Sequence, residues 1–147
     1  MIELRLVCVG KLRQPFCQDG VQEYAHRLRP HARLQVREVR SGREETVELA
    51  RALEGCRAVM VLERSGRQLA SEELANWLAE SMSRGAVPIG FAIGGAGGLP
   101  GDFGGPQATR VSFSRLTFPH ELFRVMLLEQ LYRAFTILKG EPYHVGH

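Results

Sequence analysis

Two stretches of this 147-residue sequence have the residue types and spacing to do chemistry. The first is Gly94-Gly95-Ala96-Gly97-Gly98-Leu99-Pro100-Gly101, with five glycines in eight residues directly after the apolar run Phe91-Ala92-Ile93. Glycine at that density serves a backbone that must approach something closely or adopt positive φ, and a tight turn alone needs only one or two. The segment matches neither G-x-x-x-x-G-K-[ST] nor G-x-G-x-x-G and stands late in the chain, which disfavours a triphosphate cradle and ordinary dinucleotide binding. The second stretch begins at His120. His120 and Arg124 are four apart, on one helical face, and Arg133 follows on the same helix, so each could address an anionic or carbonyl-rich ligand. For His120 a structural role at a helix N-terminus is an equal alternative. A charge at Arg133, inside an apolar helix, would need a partner. Tyr143 and His144 close the chain as a disordered end or as a stacking lid.

Other templates find no support. Ser112 and Ser114 lack a G-x-S-x-G context, no H-E-x-x-H or carboxylate pair occurs, and Asp102-Phe103-Gly104 stands without the rest of the kinase signature. Cys8, Cys17 and Cys56 are widely separated with no C-x-x-C, so inert thiols are expected and no metal site. A phosphate-contacting patch is the alternative to a solvated face for Arg27, Arg29, Arg33, Arg37, Arg40 and Arg43 with His31, because guanidinium forks match phosphate oxygens. Residues 1–43 carry nine Lys/Arg against four Asp/Glu, so the basicity behind the net +3 is local.

These groups need a scaffold, and the hydrophobic pattern supplies one. Alternation predicts a strand over Ile2–Val9 ended by Gly10, and the spacing of Phe16, Val21, Tyr24 and Leu28 predicts a helix over Pro15–Arg29 stopped by Pro30. Leu34, Val36 and Val39 suggest a second strand. Val47, Ala50, Ala52 and Leu53 mark a short helix entered through Ser41-Gly42 and closed by Gly55. Ala58–Leu62 reads as a strand apolar on both faces. Ser71 is expected to cap a helix with the stripe Leu74, Trp77, Leu78 and Met82, with Gly85 beyond its end. Val87–Ile93 is a strand with Pro88 near its start, and Val111–Phe113 a short fifth strand. Pro119 opens a long helix to about Leu138. Apolar residues occupy most sides of that last helix, which predicts cover by a second copy of the chain or by a central core. Alternating strands and helices give an α/β fold with a mostly parallel sheet in one domain over residues 1–147, and ligands in such sheets bind at the strands' carboxyl ends.

Composition is that of an ordinary folded chain, 44% hydrophobic and 24% charged. No apolar run approaches the roughly 18 residues of a membrane span, and the N-terminus lacks the pattern of a secretory leader, so the expectation is a cytoplasmic protein with no membrane contact.

Leu116-Thr117-Phe118-Pro119-His120, then Arg124-Val125, Glu129-Gln130-Leu131-Tyr132-Arg133-Ala134 and the terminal Pro142-Tyr143-His144 resemble the bacterial ribosomal RNA large-subunit methyltransferase H family. The resemblance extends through Val9-Gly10-Lys11, Glu23-Tyr24, Arg27-Leu28, Leu62, Ser65-Gly66 and Ile93-Gly94-Gly95. It implies the SPOUT methyltransferase fold with a C-terminal trefoil knot, which periodicity does not indicate and topology rules would discourage. It also implies a homodimer that transfers methyl from S-adenosylmethionine to N3 of a pseudouridine in helix 69 of 23S ribosomal RNA, on assembled ribosomes. By the same resemblance Leu62, Gly94, Gly95, Ser114, Arg115, Leu116, Thr117, Phe118 and Pro119 are expected to bind the cofactor. Arg133, Tyr143 and His144 are expected on the substrate side, with Arg133 orienting the base carbonyls and His144 assisting loss of the N3 proton. The loop Ala96-Gly97-Gly98 and the extension Val145-Gly146-His147 depart from the family pattern.

Overall fold

The computed structural model describes residues 1–145, apart from the side chain of His144. In chain order it contains β1 (Glu3–Val9), α1 (Pro15–Leu28), β2 (Arg33–Val39), α2 (Glu45–Ala52), β3 (Ala58–Gln68), α3 (Ser71–Ser83), β4 (Ile89–Ile93), β5 (Thr109–Ser112) and α4 (His120–Lys139). A 3-10 turn over Pro142–His144 follows. The five strands form one sheet in the order β2-β1-β4-β3-β5, parallel at every pairing. Helices cover both faces, which explains why β1 and β4 are buried along nearly their whole length instead of alternating.

The larger core lies under α1, α3 and α4, where Leu4, Leu6, Met60, Leu78, Phe91, Leu127 and Leu131 are at most 1% exposed. On the opposite face Val7, Leu49, Val61, Ala92 and Phe103 pack beneath α2 and the segment after β4. α4 fills the larger core with one side, through Leu127, Leu128, Leu131, Ala134 and Phe135. Its Val125 and Met126, with Leu69, Leu74, Val111 and Phe113, line an open groove of about 420 Å³. Central packing therefore accounts for one side of its apolar surface.

Several boundaries and faces differ from the periodicity. Phe16 is 64% exposed, and α1 instead packs by Cys17, Val21, Tyr24 and Leu28. Val47 is 49% exposed, because α2 is held by Leu49 and Ala52. Ser71 does not cap α3. It is the first helical residue and its hydroxyl donates to Gln130 Oε1 on α4 (2.7 Å), while the Glu73 carboxylate accepts from the Ala70 N–H (2.8 Å). Phe113 leaves β5 to stack on Phe123, ring centroids 4.9 Å apart.

The largest difference is β3, which runs six residues beyond Leu62 through the polar sequence Glu63-Arg64-Ser65-Gly66-Arg67-Gln68. Leu62 and Arg67 both register with Val111 of β5, so residues 63–66 bulge out between them. An apolar pattern could not reveal this segment, since backbone pairing and polar side-chain contacts hold it. At its crossing an added Cβ on Gly66 would lie 2.6 Å from the Val111 nitrogen and 2.8 Å from the Arg110 carbonyl carbon, atoms that cannot swing away. Gly66→Ala should therefore cost about 1–3 kcal/mol, as overpacking a rigid site does. Urea unfolding of the variant measures this, and wild-type stability would refute the close crossing.

Candidate active site

The carboxyl ends of β3, β4 and β5 point to the same edge of the parallel sheet, so the loops that follow them converge. Together they enclose a cavity of about 940 Å³. Leu62 ends the first pairing of β3 and forms one wall. Gly94 and Gly95 continue directly from β4, and Ser114, Leu116, Thr117, Phe118 and Pro119 come from the β5–α4 connection. Of the nine residues expected to bind a cofactor, eight line this cavity. Arg115 is exposed and is not among the lining residues. Glu63, Arg64, Ser65, Leu99, His120 and Phe123 also line it. The bulge of β3 brings in the first three, which the sequence pattern passed over because it ended that strand at Leu62.

The walls are backbone and hydrocarbon. An added Cβ on Gly94 would come within 2.8 Å of Leu99 Cγ and 3.1 Å of the Gly98 carbonyl carbon, so the loop folds on itself because that position is bare, while one on Gly95 would meet Glu45 Oε2 of α2 at 2.5 Å, a side-chain end that can move aside. Ser112 Oγ donates to the Ser114 carbonyl (2.8 Å) and Ser114 Oγ accepts from the Leu116 N–H (3.0 Å), a turn that presents Leu116, 70% exposed, toward the cavity. Phe118 and Phe113 stack on Phe123 as a floor. At the mouth Arg64 Nη1 donates to Thr117 Oγ1 (2.6 Å), linking two of the three loops. Such a site suits a flat heteroaromatic group recognised by backbone hydrogen bonds, without a phosphate cradle.

The second group lies at the other end of α4. Arg133 donates to Glu129 Oε2 (2.6 Å), and the Tyr143 hydroxyl donates to the same oxygen (2.8 Å). The Arg133 guanidinium carbon is 5.3 Å from the Tyr143 ring centre, and the rings of Tyr132 and Tyr143 meet edge-on at 4.6 Å. The hydrogen bond to Glu129 holds the Arg133 pKa above its ordinary value. Burial pushes the Tyr143 phenol upward, reinforced by Tyr24 and by the Glu129 carboxylate, so this hydroxyl is a donor at neutral pH. Glu129, absent from the sequence-level candidates, is the hub of the group. Its i,i+4 spacing to Arg133 was the available signal. Arg27 joins the cluster, 5.3 Å from the Tyr24 ring and paired to Glu23 at 2.7 Å, and so does not belong with the solvated arginines. The side chain of His144, and Gly146 and His147, lie outside the described residues.

Arg124 does not face a ligand. It is 2% exposed and donates to Glu38 (2.6 Å) and to the carbonyls of Val9 (2.9 Å) and Gly10 (2.5 Å). Its neighbour Glu121 accepts from the N–H groups of Arg13 (2.6 Å) and Gln14 (2.9 Å) ahead of α1, which draws its carboxyl below the usual range. His120 lines the cavity rim in an exposed position. Burial raises all three thiols, Cys8 to about 11, which leaves them protonated.

The fold agrees with the comparisons to known proteins. Residues 2–144 match the family model described as "Predicted SPOUT methyltransferase". The chain is 40% identical to the ribosomal RNA large subunit methyltransferase H of Symbiobacterium thermophilum, over 97% of this chain and 99% of the relative. It is 37% identical to the protein of that name from Geotalea uraniireducens (97% and 99%) and 39% identical to that from Desulfitobacterium hafniense (98% and 99%). The chain belongs to the SPOUT methyltransferases, and within them to the ribosomal RNA large subunit methyltransferase H family.

Arg124→Met should lower stability by about 3 kcal/mol, the low end for breaking a buried ion pair, because Glu38 is one-third exposed and can rehydrate. Glu38→Gln leaves both carbonyl contacts of Arg124 in place and should cost about 1 kcal/mol. Urea unfolding of the two variants checks the ordering, and equal losses would contradict it.

Proposed function

We propose that this chain is an S-adenosylmethionine-dependent methyltransferase of 23S ribosomal RNA that modifies N3 of a pseudouridine in helix 69 on assembled ribosomes, acting in the cytoplasm as a homodimer. The observation that carries the reading is the convergence of three backbone-rich loops on one cavity at the carboxyl ends of β3, β4 and β5. The cavity fits the donor. Gly94 and Gly95 let the loop pack close against Leu99 and Glu45, the walls are hydrocarbon and aromatic, and exposed main chain can meet an adenine edge. Leu62, Gly94, Gly95 and residues 114–119 would hold S-adenosylmethionine, which supplies an electrophilic methyl carbon on a sulfonium.

The chain's own residues bind, orient and exclude water. Arg133, kept charged and fixed by Glu129, would orient the carbonyl oxygens of a uracil-type base. Tyr143 stays protonated and so fixes position without accepting the N3 proton. His144 remains our candidate for assisting that proton's loss. With an activated methyl carbon in place, bringing the two reactants into line is the main catalytic term. Arg29, Arg33, Arg37, Arg40 and Arg43 are exposed along and beside edge strand β2, with no carboxylate within ion-pair distance among the described residues, which supports contact with RNA phosphates.

Distance within the chain supports a homodimer. His120 touches the cavity and Arg133 lies thirteen residues further along α4. At 1.5 Å rise per residue that is about 20 Å, too far for one chain to bring Arg133 and Tyr143 to its own donor. A second copy seated along the α4 groove would supply them.

The direct test is incubation with methyl-labelled S-adenosylmethionine and ribosomes lacking the modification. Label should appear at the pseudouridine N3, and its absence there would overturn the reading. Arg133→Ala should lower the rate about 10²–10³-fold, as loss of one positioned donor does; an unchanged rate would remove Arg133 from the substrate side.

Mixed dimers test the shared site. A Gly94→Trp chain and an Arg133→Ala chain, each inactive alone, should recover methyl transfer when combined, because one of the two composite sites is then intact. No recovery in a confirmed heterodimer would place both groups in one chain.

A further inference from the structure

Arg110 stands on β5 outside the donor cavity and makes three side-chain hydrogen bonds. Its Nε donates to Glu63 Oε1 (2.9 Å), Nη1 to the Phe103 carbonyl (2.8 Å) and Nη2 to the Pro100 carbonyl (2.6 Å). The Arg110 and Glu63 side chains are 22% and 20% exposed, so water only partly screens the pair. Glu63 lines the cavity where β3 begins to bulge, and Pro100 and Phe103 belong to the descending limb of the glycine loop. One guanidinium therefore ties two of the three cavity walls together.

The glycine loop needs such a tie. Gly97 and Gly98 have no atom within 4 Å of where a Cβ would sit, and an unrestrained glycine run loses more conformational entropy on ordering than any other sequence. Among the described residues, Arg110 supplies the side-chain hydrogen bonds to this loop. Phe103, 5% exposed, anchors the same limb in the core beneath α2. The planar fork reaches an acidic group and two carbonyls at once, which a lysine ammonium cannot reproduce in that geometry.

We infer that Arg110 is a positioning residue for the methyl-donor site: by clamping Pro100 and Phe103 to Glu63 it holds the Gly94–Leu99 cradle in its binding shape before the donor arrives. This rests on the assignment of the cavity to S-adenosylmethionine. Donor affinity then depends on the fraction of molecules with the loop in place.

The test measures S-adenosylmethionine binding by calorimetry on the intact protein and amide exchange of residues 94–103 in the donor-free protein. Arg110→Gln should weaken donor binding about tenfold, in keeping with losing charge-assisted bonds that order a loop. It should also speed exchange at the Gly98 and Phe103 amides, which bond to Gly95 and Pro100 within the loop, and leave α1 and α4 at wild-type rates. The donor KM should rise by more than kcat falls, and Arg110→Lys should lie between. Wild-type donor affinity in Arg110→Gln, or faster exchange spread evenly over the sheet, overturns the inference. Should Arg110→Gln fail to fold, Glu63→Ala, which loses one bond of three, must still weaken the donor and free the same loop amides; unaltered values there overturn it equally. Failure of the wild-type protein to bind S-adenosylmethionine, with loop amides still freed in Arg110→Gln, would sink the donor assignment and leave the clamp standing.

Discussion

A buried guanidinium fixes the placement on which the rest of the molecule depends. Arg124, one turn into α4, reaches the last carbonyls of β1 and the Glu38 carboxylate on β2. A cation that far from water is tolerable only where its partners stand ready, so α4 has one seat on the sheet and no graded set of alternatives. Glu121, a turn earlier, holds the N–H groups ahead of α1. Two neighbouring residues of one helix thereby tie β1, β2, α1 and α4 at the edge where the strands end. The Ser114–Pro119 loop is the direct lead-in to that helix, and its position relative to the β3 and β4 loops is inherited from the same anchor.

α4 also separates the two chemistries of the proposed reaction. Its N-terminal end borders a cavity of backbone and hydrocarbon, and its C-terminal half carries the charged and aromatic group around Glu129. The first environment suits a donor that needs enclosure more than charge. The second suits an acceptor base that must be oriented by hydrogen bonds. A rigid helix cannot bend these ends together, so the single chain keeps them apart, and the proposed homodimer would bring them within range.

Electrostatics divides the charged residues by burial more than by sequence neighbourhood. Arg27 and Arg29 are two apart, yet Arg27 is folded against tyrosine rings and Glu23 while Arg29 stands in solvent. Arg124 and Arg133 share a helix, yet one is a structural bridge and the other is held in the helix's C-terminal half by a carboxylate it shares with Tyr143. In each case the helical face decides, because side chains two apart point to different neighbours while those four apart share them.

The sequence by itself determined the order of strands and helices, the parallel α/β layering and the general location of the site. Those follow from hydrophobic period and glycine density, which are local properties of the chain. It also carried the family motifs from Leu116 to Ala134, and with them one wall of the cavity, Leu116 to His120 and Phe123. Only the tertiary structure decided that β3 continues through a polar stretch to Gln68, that Ser71 bonds to α4 instead of capping its own helix, and that Arg124 turns inward. It alone brought Glu63 and Arg110 together, and Glu129 with Tyr143. Each of these is a polar contact, most of them between segments far apart in sequence, and such contacts leave no period to read: a hydrogen bond fixes where two chains meet, and nothing in the spacing of either segment announces the other.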